Sequence, residues 1–141
     1  MSVLPDRRFV SRLVIVLACA LACVLLTTSF VAVPWVVAGP SMEPTLYAGD
    51  HVIVDLWTYR RRAPREGEVV LLDAPWGGPI VKRVAPPVPD PADAGSGRYR
   101  VLGDNEAESA DSRTFGSVER GRFRGRVLWR YWPLSRAGSI R

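Results

Sequence analysis

Glu68-Val69-Val70-Leu71-Leu72, a break at Pro75 and Gly77-Gly78, then Ile80-Val81-Lys82-Arg83-Val84: this stretch decides the fold. Two short aliphatic runs punctuated by proline and glycine read as a pair of β-strands. Upstream, Asp50-His51-Val52-Ile53-Val54-Asp55 follows Gly49 and reads as another strand. Residues 56–67 between them, with Arg60, Arg61, Arg62, Pro64, Arg65 and Gly67, read as an exposed loop. Downstream, the Pro- and Gly-rich residues 85–97 form a connection without a core. Arg98-Tyr99-Arg100-Val101-Leu102 is a fourth strand, and Arg126-Val127-Leu128-Trp129-Arg130-Tyr131 a fifth, stopped by Pro133. Short strands with no soluble amphipathic helix and no internal repeat predict an all-β domain over residues 34–141. The expected form is a small antiparallel β-barrel or sandwich.

The N-terminal third is of another kind. Residues 1–12 carry Arg7, Arg8 and Arg12 against a single Asp6, and 13–33 are 21 residues without a charge. At about 1.5 Å per residue, a helix of that length crosses a hydrocarbon core of ~30 Å. Pro34 discourages helix beyond it, and Trp35 suits an interface. The arginines predict a cytoplasmic N-terminus, a single-pass transmembrane helix over 13–33 and everything after it outside the cytoplasmic membrane. A cleaved signal peptide would have a shorter apolar region, and a lipoprotein site at Cys19 would leave only a stub before it. Cys19 and Cys23 lie one helical turn apart with Ala18 and Ala22 beside them, which is ordinary helix packing or a weak helix–helix contact.

Counting narrows the chemistry. The 141 residues leave about a hundred for one compact domain after the apolar segment. Histidine occurs once and cysteine twice, both cysteines inside the apolar run, so the domain holds no disulfide framework and no cysteine–histidine zinc site. The net charge of +5 permits anionic lipid or nucleic acid as a partner without demanding either. Arg120, Arg122, Arg124 and Arg126 alternate with Gly121, Phe123 and Gly125, as a solvated face or a lipid headgroup contact near Trp129 and Trp132 would. Nucleic acid is not expected for a face outside the cell.

Lys82 is the only lysine, against eighteen arginines. A chain that uses arginine wherever a surface cation will do keeps its one lysine where arginine would fail. Lysine can lose its proton under burial, and arginine effectively cannot. Strand parity turns Ile80, Lys82 and Val84 to one apolar face and Arg83 to the other. To be mostly neutral at pH 7 the ammonium must drop by roughly 3 units, which costs on the order of 4–5 kcal/mol. A general base justifies that cost; a lysine snorkelling from a strand edge is the other reading.

Ser41 lies in Gly39-Pro40-Ser41-Met42-Glu43-Pro44-Thr45-Leu46, directly after the apolar run. Pro40 and Pro44 stiffen the loop as a nucleophile requires, although a serine between prolines is also an ordinary turn. A Ser-His-Asp triad would need His51, which reads instead as a half-exposed strand residue. Residues 103–113, Gly-Asp-Asn-Glu-Ala-Glu-Ser-Ala-Asp-Ser-Arg, form a polar loop in which Asp104 or Asp111 can pair with Arg113.

Taken in order, these blocks resemble the type I signal peptidases, the membrane-bound serine–lysine peptidase family. The resemblance rests on residues 39–46, Gly49-Asp50, Gly67-Glu68-Val69-Val70, Val81-Lys82-Arg83-Val84, residues 103–116 and residues 125–133. It implies Ser41 as nucleophile, Lys82 as general base and Ser109 as the hydroxyl that orients the lysine. It further implies Asp104, Asp111 and Arg113 as polar support and Met42 in the substrate-contacting segment. The implied substrates are signal-peptide-bearing precursor proteins, bound as extended strands with small residues at the first and third positions before the cut. No metal or organic cofactor is implied, and the oligomeric state is left open.

Three departures from the family pattern stand out. Some members carry a serine or threonine two residues before the nucleophile to complete the oxyanion hole; here it is Gly39, and Pro40 has no N–H to substitute. The usual glycine-rich stretch after Lys82-Arg83 reads Ala85-Pro86-Pro87-Val88-Pro89-Asp90. The interval from Lys82 to Gly103 leaves no room for the extra β-domain of larger members. The expected activity is signal-peptide removal by a compact form. The alternatives are a maturation protease dedicated to one precursor, or an inactive anchored β-domain that binds peptides.

Overall fold

A computed structural model describes residues 7–87 and 97–141, with side chains described from residue 10 and not over 26–31. The expected membrane segment falls largely on helix α1, Arg7–Val31. Its described side chains, from Val10 to Leu25, are exposed. Among the described residues no helix is long and apolar enough to cross a membrane.

The helix also stops short of Val33. Residues Ala32–Val36 form strand β1, which pairs antiparallel with β2, His51–Asp55. Pro34 and Trp35, expected to end a helix and mark an interface, are strand residues. Pro34 is tolerated because β1 is an edge strand paired on one side only, so its missing N–H breaks no ladder.

The main sheet also contains β3, Val69–Asp73; β4, Pro79–Val84; β6, Val101–Leu102; β8, Phe123–Trp132; and β9, Gly138–Ser139. Its order is β1-β2-β8-β3-β4-β6, with β9 also on β8. The sheet is antiparallel throughout, as expected for the all-β domain. Its main path ends at β1 and β6, and β9 is paired on one side only, so of the two expected forms, barrel or sandwich, a closed barrel is not formed. A separate pair joins β5, Arg98–Tyr99, to β7, Val118–Glu119. The stretch 98–102 is therefore two strands, divided at Arg100, whose carbonyl accepts from Ala85 N (2.9 Å). The loop 56–67 contains one short helical turn, α2, Thr58–Arg61.

β3 is central, between β4 and β8, and apolar on both faces. Val69 and Leu71 enter one cluster with Met42, Leu46, Val52 and Val54; Val70 and Leu72 enter a second with Val84, Val101 and Phe123. A strand covered on both faces has no polar side to show, which is why 69–72 reads as an unbroken aliphatic run. The β3–β4 turn depends on Gly77 (φ +94°) and Gly78 (φ +83°) and is closed by Ala74 N–H to Gly78 O (2.9 Å). That hairpin carries Lys82 to the site.

Candidate active site

Ser41 sits in a single 3₁₀ turn, Pro40–Met42, entered from an extended Gly39 (φ −137°, ψ 170°). Proline at the first position presets the helical φ. Glu43 N–H closes on Pro40 O (3.0 Å) and Leu46 N–H on Met42 O (2.8 Å). Val37 before the turn and Met42 and Leu46 after Ser41 are buried in the first core cluster, so Ser41 rides on a turn pinned at both ends. The early N–H groups of such a turn have no partner within it. With Pro40 lacking one, the Ser41 N–H is the first donor the turn presents.

Lys82 on β4, opposite Val70 of β3, is 3% exposed, and its Nζ lies 2.7 Å from Ser41 Oγ. The two residues come together across 41 positions of sequence. Burial pushes the Lys82 amine below its ordinary value, and Arg113 adds to the push; the charges of Asp111 and Asp104 oppose it. A neutral amine at that distance can accept the serine proton.

The loop 103–113 packs behind the pair. Asn105 N–H donates to Ser41 O (3.0 Å), and Gly103 N–H to Asp111 Oδ2 (2.8 Å). Ser109 Oγ, the hydroxyl expected to orient the lysine, donates to Asp111 Oδ2 (2.7 Å) and keeps its acceptor lone pairs. Asp111 is fully buried and gripped by Arg113, with Nε–Oδ1 at 3.0 Å and Nη2–Oδ2 at 2.5 Å. Burial would raise this carboxyl, but hydrogen bonds from Arg113, Gly103 N–H and Ser109 outweigh it and hold the group well below the carboxylate range.

Asp104 takes a different partner. Of the two pairings open in the sequence, Asp111–Arg113 forms, while Asp104 is held by Arg83 through Nε–Oδ1 (2.8 Å) and Nη2–Oδ2 (2.7 Å). Burial again pushes upward, and the bonds from Arg83 and Thr45 bring the Asp104 carboxyl down. Arg83 was not among the expected site residues. Strand parity turns it away from Lys82, but nothing within 80–84 names Asp104, 21 positions on, as its partner.

Gly103 was also missed. A Cβ there would lie 2.1 Å from Ser109 Oγ and 2.5 Å from Ser41 O, so only glycine lets the loop approach the serine this closely. Beside Ser41 is a cleft of about 180 Å³ lined by Trp35, Val37, Gly39, Met42 and Val81, among others. Met42 thus serves both the core and the cleft wall. β4 is paired to β6 only at Arg83 and Val84, which leaves its Pro79–Lys82 edge open beside the cleft.

The remaining candidates lie elsewhere. His51 Nδ1 is 3.4 Å from the Tyr131 hydroxyl. The alternating arginines are tied to the domain: Arg120 to Tyr59 O (3.4 Å), Arg122 to Ala74 O (3.1 Å) and Arg124 to Asp73 (2.7 Å). Arg126 stands 3.5 Å from Glu68.

Comparison with known proteins gives a consistent picture. The family described as signal peptidase, peptidase S26, matches residues 8–91 and 86–132, leaving 133–141 outside. A probable signal peptidase I-2 of Synechocystis sp. is 30% identical, covering 79% of this chain and 68% of the relative. The mitochondrial ATP-independent inner membrane protease subunit 1b of Arabidopsis thaliana is also 30% identical, over 81% of this chain and 78% of the relative. Signal peptidase IB of Staphylococcus aureus is 25% identical, over 86% and 89%.

Proposed function

The chain belongs to the signal peptidase family, peptidase S26, and from that membership we propose a membrane-anchored serine endopeptidase that removes N-terminal signal peptides from exported proteins. Ser41 is the nucleophile and Lys82 the general base. The observation that carries the reading is the 2.7 Å approach of a buried lysine to the serine of the pinned turn.

The proposed steps use the pair and the turn as they stand. Neutral Lys82 Nζ takes the Ser41 proton as Oγ attacks the carbonyl carbon of the scissile bond. The oxyanion of the tetrahedral intermediate meets the Ser41 N–H, a donor already in place. The carbon–nitrogen bond then breaks, the proton passes from Lys82 to the leaving amine, and the signal peptide remains as an ester on Ser41. Water, deprotonated by the same amine, hydrolyses the ester. Asp104 and Asp111, held by Arg83 and Arg113, fix the wall behind the pair, and Ser109 acts on it through Asp111. The precursor lies extended along the open edge of β4, and the 180 Å³ cleft favours small side chains next to the cut.

Residues 1–12 are assigned to the cytoplasm, 13–31 to the membrane and 32–141 to the outside, the membrane segment ending where β1 begins. The exposed apolar side chains of α1 support an anchor, and β1 starts at the residue after α1 ends, which keeps the site close to the bilayer. A second reading has the same chemistry on one dedicated precursor. It is favoured by the relative named a mitochondrial inner membrane protease subunit, which matches at the same identity as a signal peptidase.

The test is mass-spectrometric cleavage of several signal-peptide-bearing precursors by the full-length protein in detergent, beside Ser41→Ala. Serine-dependent cuts after small-x-small sites in many precursors support the general peptidase. A cut in one alone selects the dedicated enzyme. No cut in any, where a known signal peptidase works, leaves a binding domain.

A further inference from the structure

The residues past the family match, 133–141, hold the site from two sides. Gly138 and Ser139 pair with Arg130 and Trp129 on β8. Ile140 N–H donates to Leu128 O (2.9 Å), and the Ile140 side chain is buried in the same core cluster as Met42 and Leu46. These contacts fix where the two neighbouring arginines reach.

Arg136 Nη2 lies 2.7 Å from Asp50 Oδ1, and its guanidinium stacks 4.4 Å from the Tyr47 ring. Asp50 is fully buried and accepts from Tyr47 N–H (2.9 Å). Arg130 bridges Asp50 (3.1 Å) and Thr45 O (2.9 Å). One end of this network is therefore the loop that follows Ser41. At the other end, the main-chain oxygen of Arg141 accepts from Arg83 Nη1 (2.8 Å). The same guanidinium holds Asp104, whose neighbour Asn105 donates to Ser41 O.

We propose that residues 136–141 are a positioning element of the Ser41–Lys82 site, fixing the serine turn through Asp50 and the loop behind it through Arg83. The inference rests on the hydrolytic reading for its effect on rate, but its geometric content is separate. If the tail is loosened, the two walls around Lys82 relax and water reaches the amine, which then titrates closer to an ordinary lysine.

Lys82 being the only lysine makes this measurable without turnover. Amine-selective labelling of the full-length protein in detergent is followed across pH on the Lys82 peptide by mass spectrometry, for wild type, Arg136→Ala, Ile140→Ala and Ile140→Leu. The first two variants are expected to titrate higher than wild type. Their kcat per folded molecule on a precursor should fall by about tenfold or more with KM little changed, and Ile140→Ala, a truncation in the core cluster, should also melt lower. Ile140→Leu, which keeps the plug, should behave as wild type. A tail that only adds stability would lower the melting temperature and leave titration and kcat per folded molecule alone. Arg136→Ala and Ile140→Ala that titrate and turn over as wild type overturn the proposal. Failure of wild type to cut any precursor counts against the hydrolytic reading, while the titration still decides the tail.

Discussion

Two glycines near Ser41 have opposite constraints. Gly103 has no room for a side chain, since a Cβ would meet Ser109 Oγ at 2.1 Å and Ser41 O at 2.5 Å. Gly103→Ala is expected to push the loop off the serine and lower kcat by about a hundredfold, as small misplacements of reacting groups do, read in a precursor cleavage assay. Gly39 has nothing within 4 Å of a Cβ and an ordinary extended φ. Gly39→Ser should fold unchanged and, by offering a hydroxyl beside the Ser41 N–H, raise kcat by about tenfold or more. An unchanged kcat would mean that a donor on this side does not limit the reaction. Lys82 stands out in the sequence as a lone lysine on an apolar strand face, and Ser41 lies between stiffening prolines. The residues alone left a second reading open for each, and only the resemblance of the ordered blocks paired them. Gly103 and Arg83 do not stand out, because their roles depend on which loop packs against which, a relation that no local pattern encodes.

At the level of elements, the sheet is built around β3, and its reading was the firmest. Leu71, 2% exposed and central, should cost about 2–5 kcal/mol when replaced by alanine, seen as a lowered melting temperature. β1 was hidden for a physical reason. Ala32-Val33-Pro34-Trp35-Val36 continues the apolar run of the helix, and apolarity without period cannot separate a strand from the end of a buried helix. Its pairing with β2 over five residues decides the matter. The division of 98–102 at Arg100 was invisible likewise, since β5 and β6 find partners distant in sequence. The tail strand β9, only two residues long, carries no strand signal of its own.

For the molecule as a whole, pH couples stability and activity with signs that can be worked out. Asp104, Asp111 and Glu68 all have carboxyls held below their usual values when folded. Their stabilisation is present above the unfolded carboxylate pKa of about 4 and is lost as pH falls through the folded values. Melting temperature should therefore drop steeply below about pH 4. Lys82 is also depressed on folding, so the folded state resists its protonation. That penalty is absent above the unfolded lysine pKa of about 10.4 and grows as pH falls toward the folded value. Lys82→Met should accordingly melt higher than wild type at pH 7, with the difference shrinking toward pH 10, and should not cleave. A stabilised, inactive variant is what a lysine kept for chemistry predicts. A lysine kept for packing would give the reverse.

The measurement that bears most directly on the central claim is the rate of precursor cleavage by Lys82→Arg in the full-length protein. Arginine keeps the charge and much of the length but does not give up its proton. Turnover lost to the level of Ser41→Ala, in a protein that still folds, is the predicted result. Retained cleavage by Lys82→Arg would contradict a neutral lysine as the base that activates Ser41.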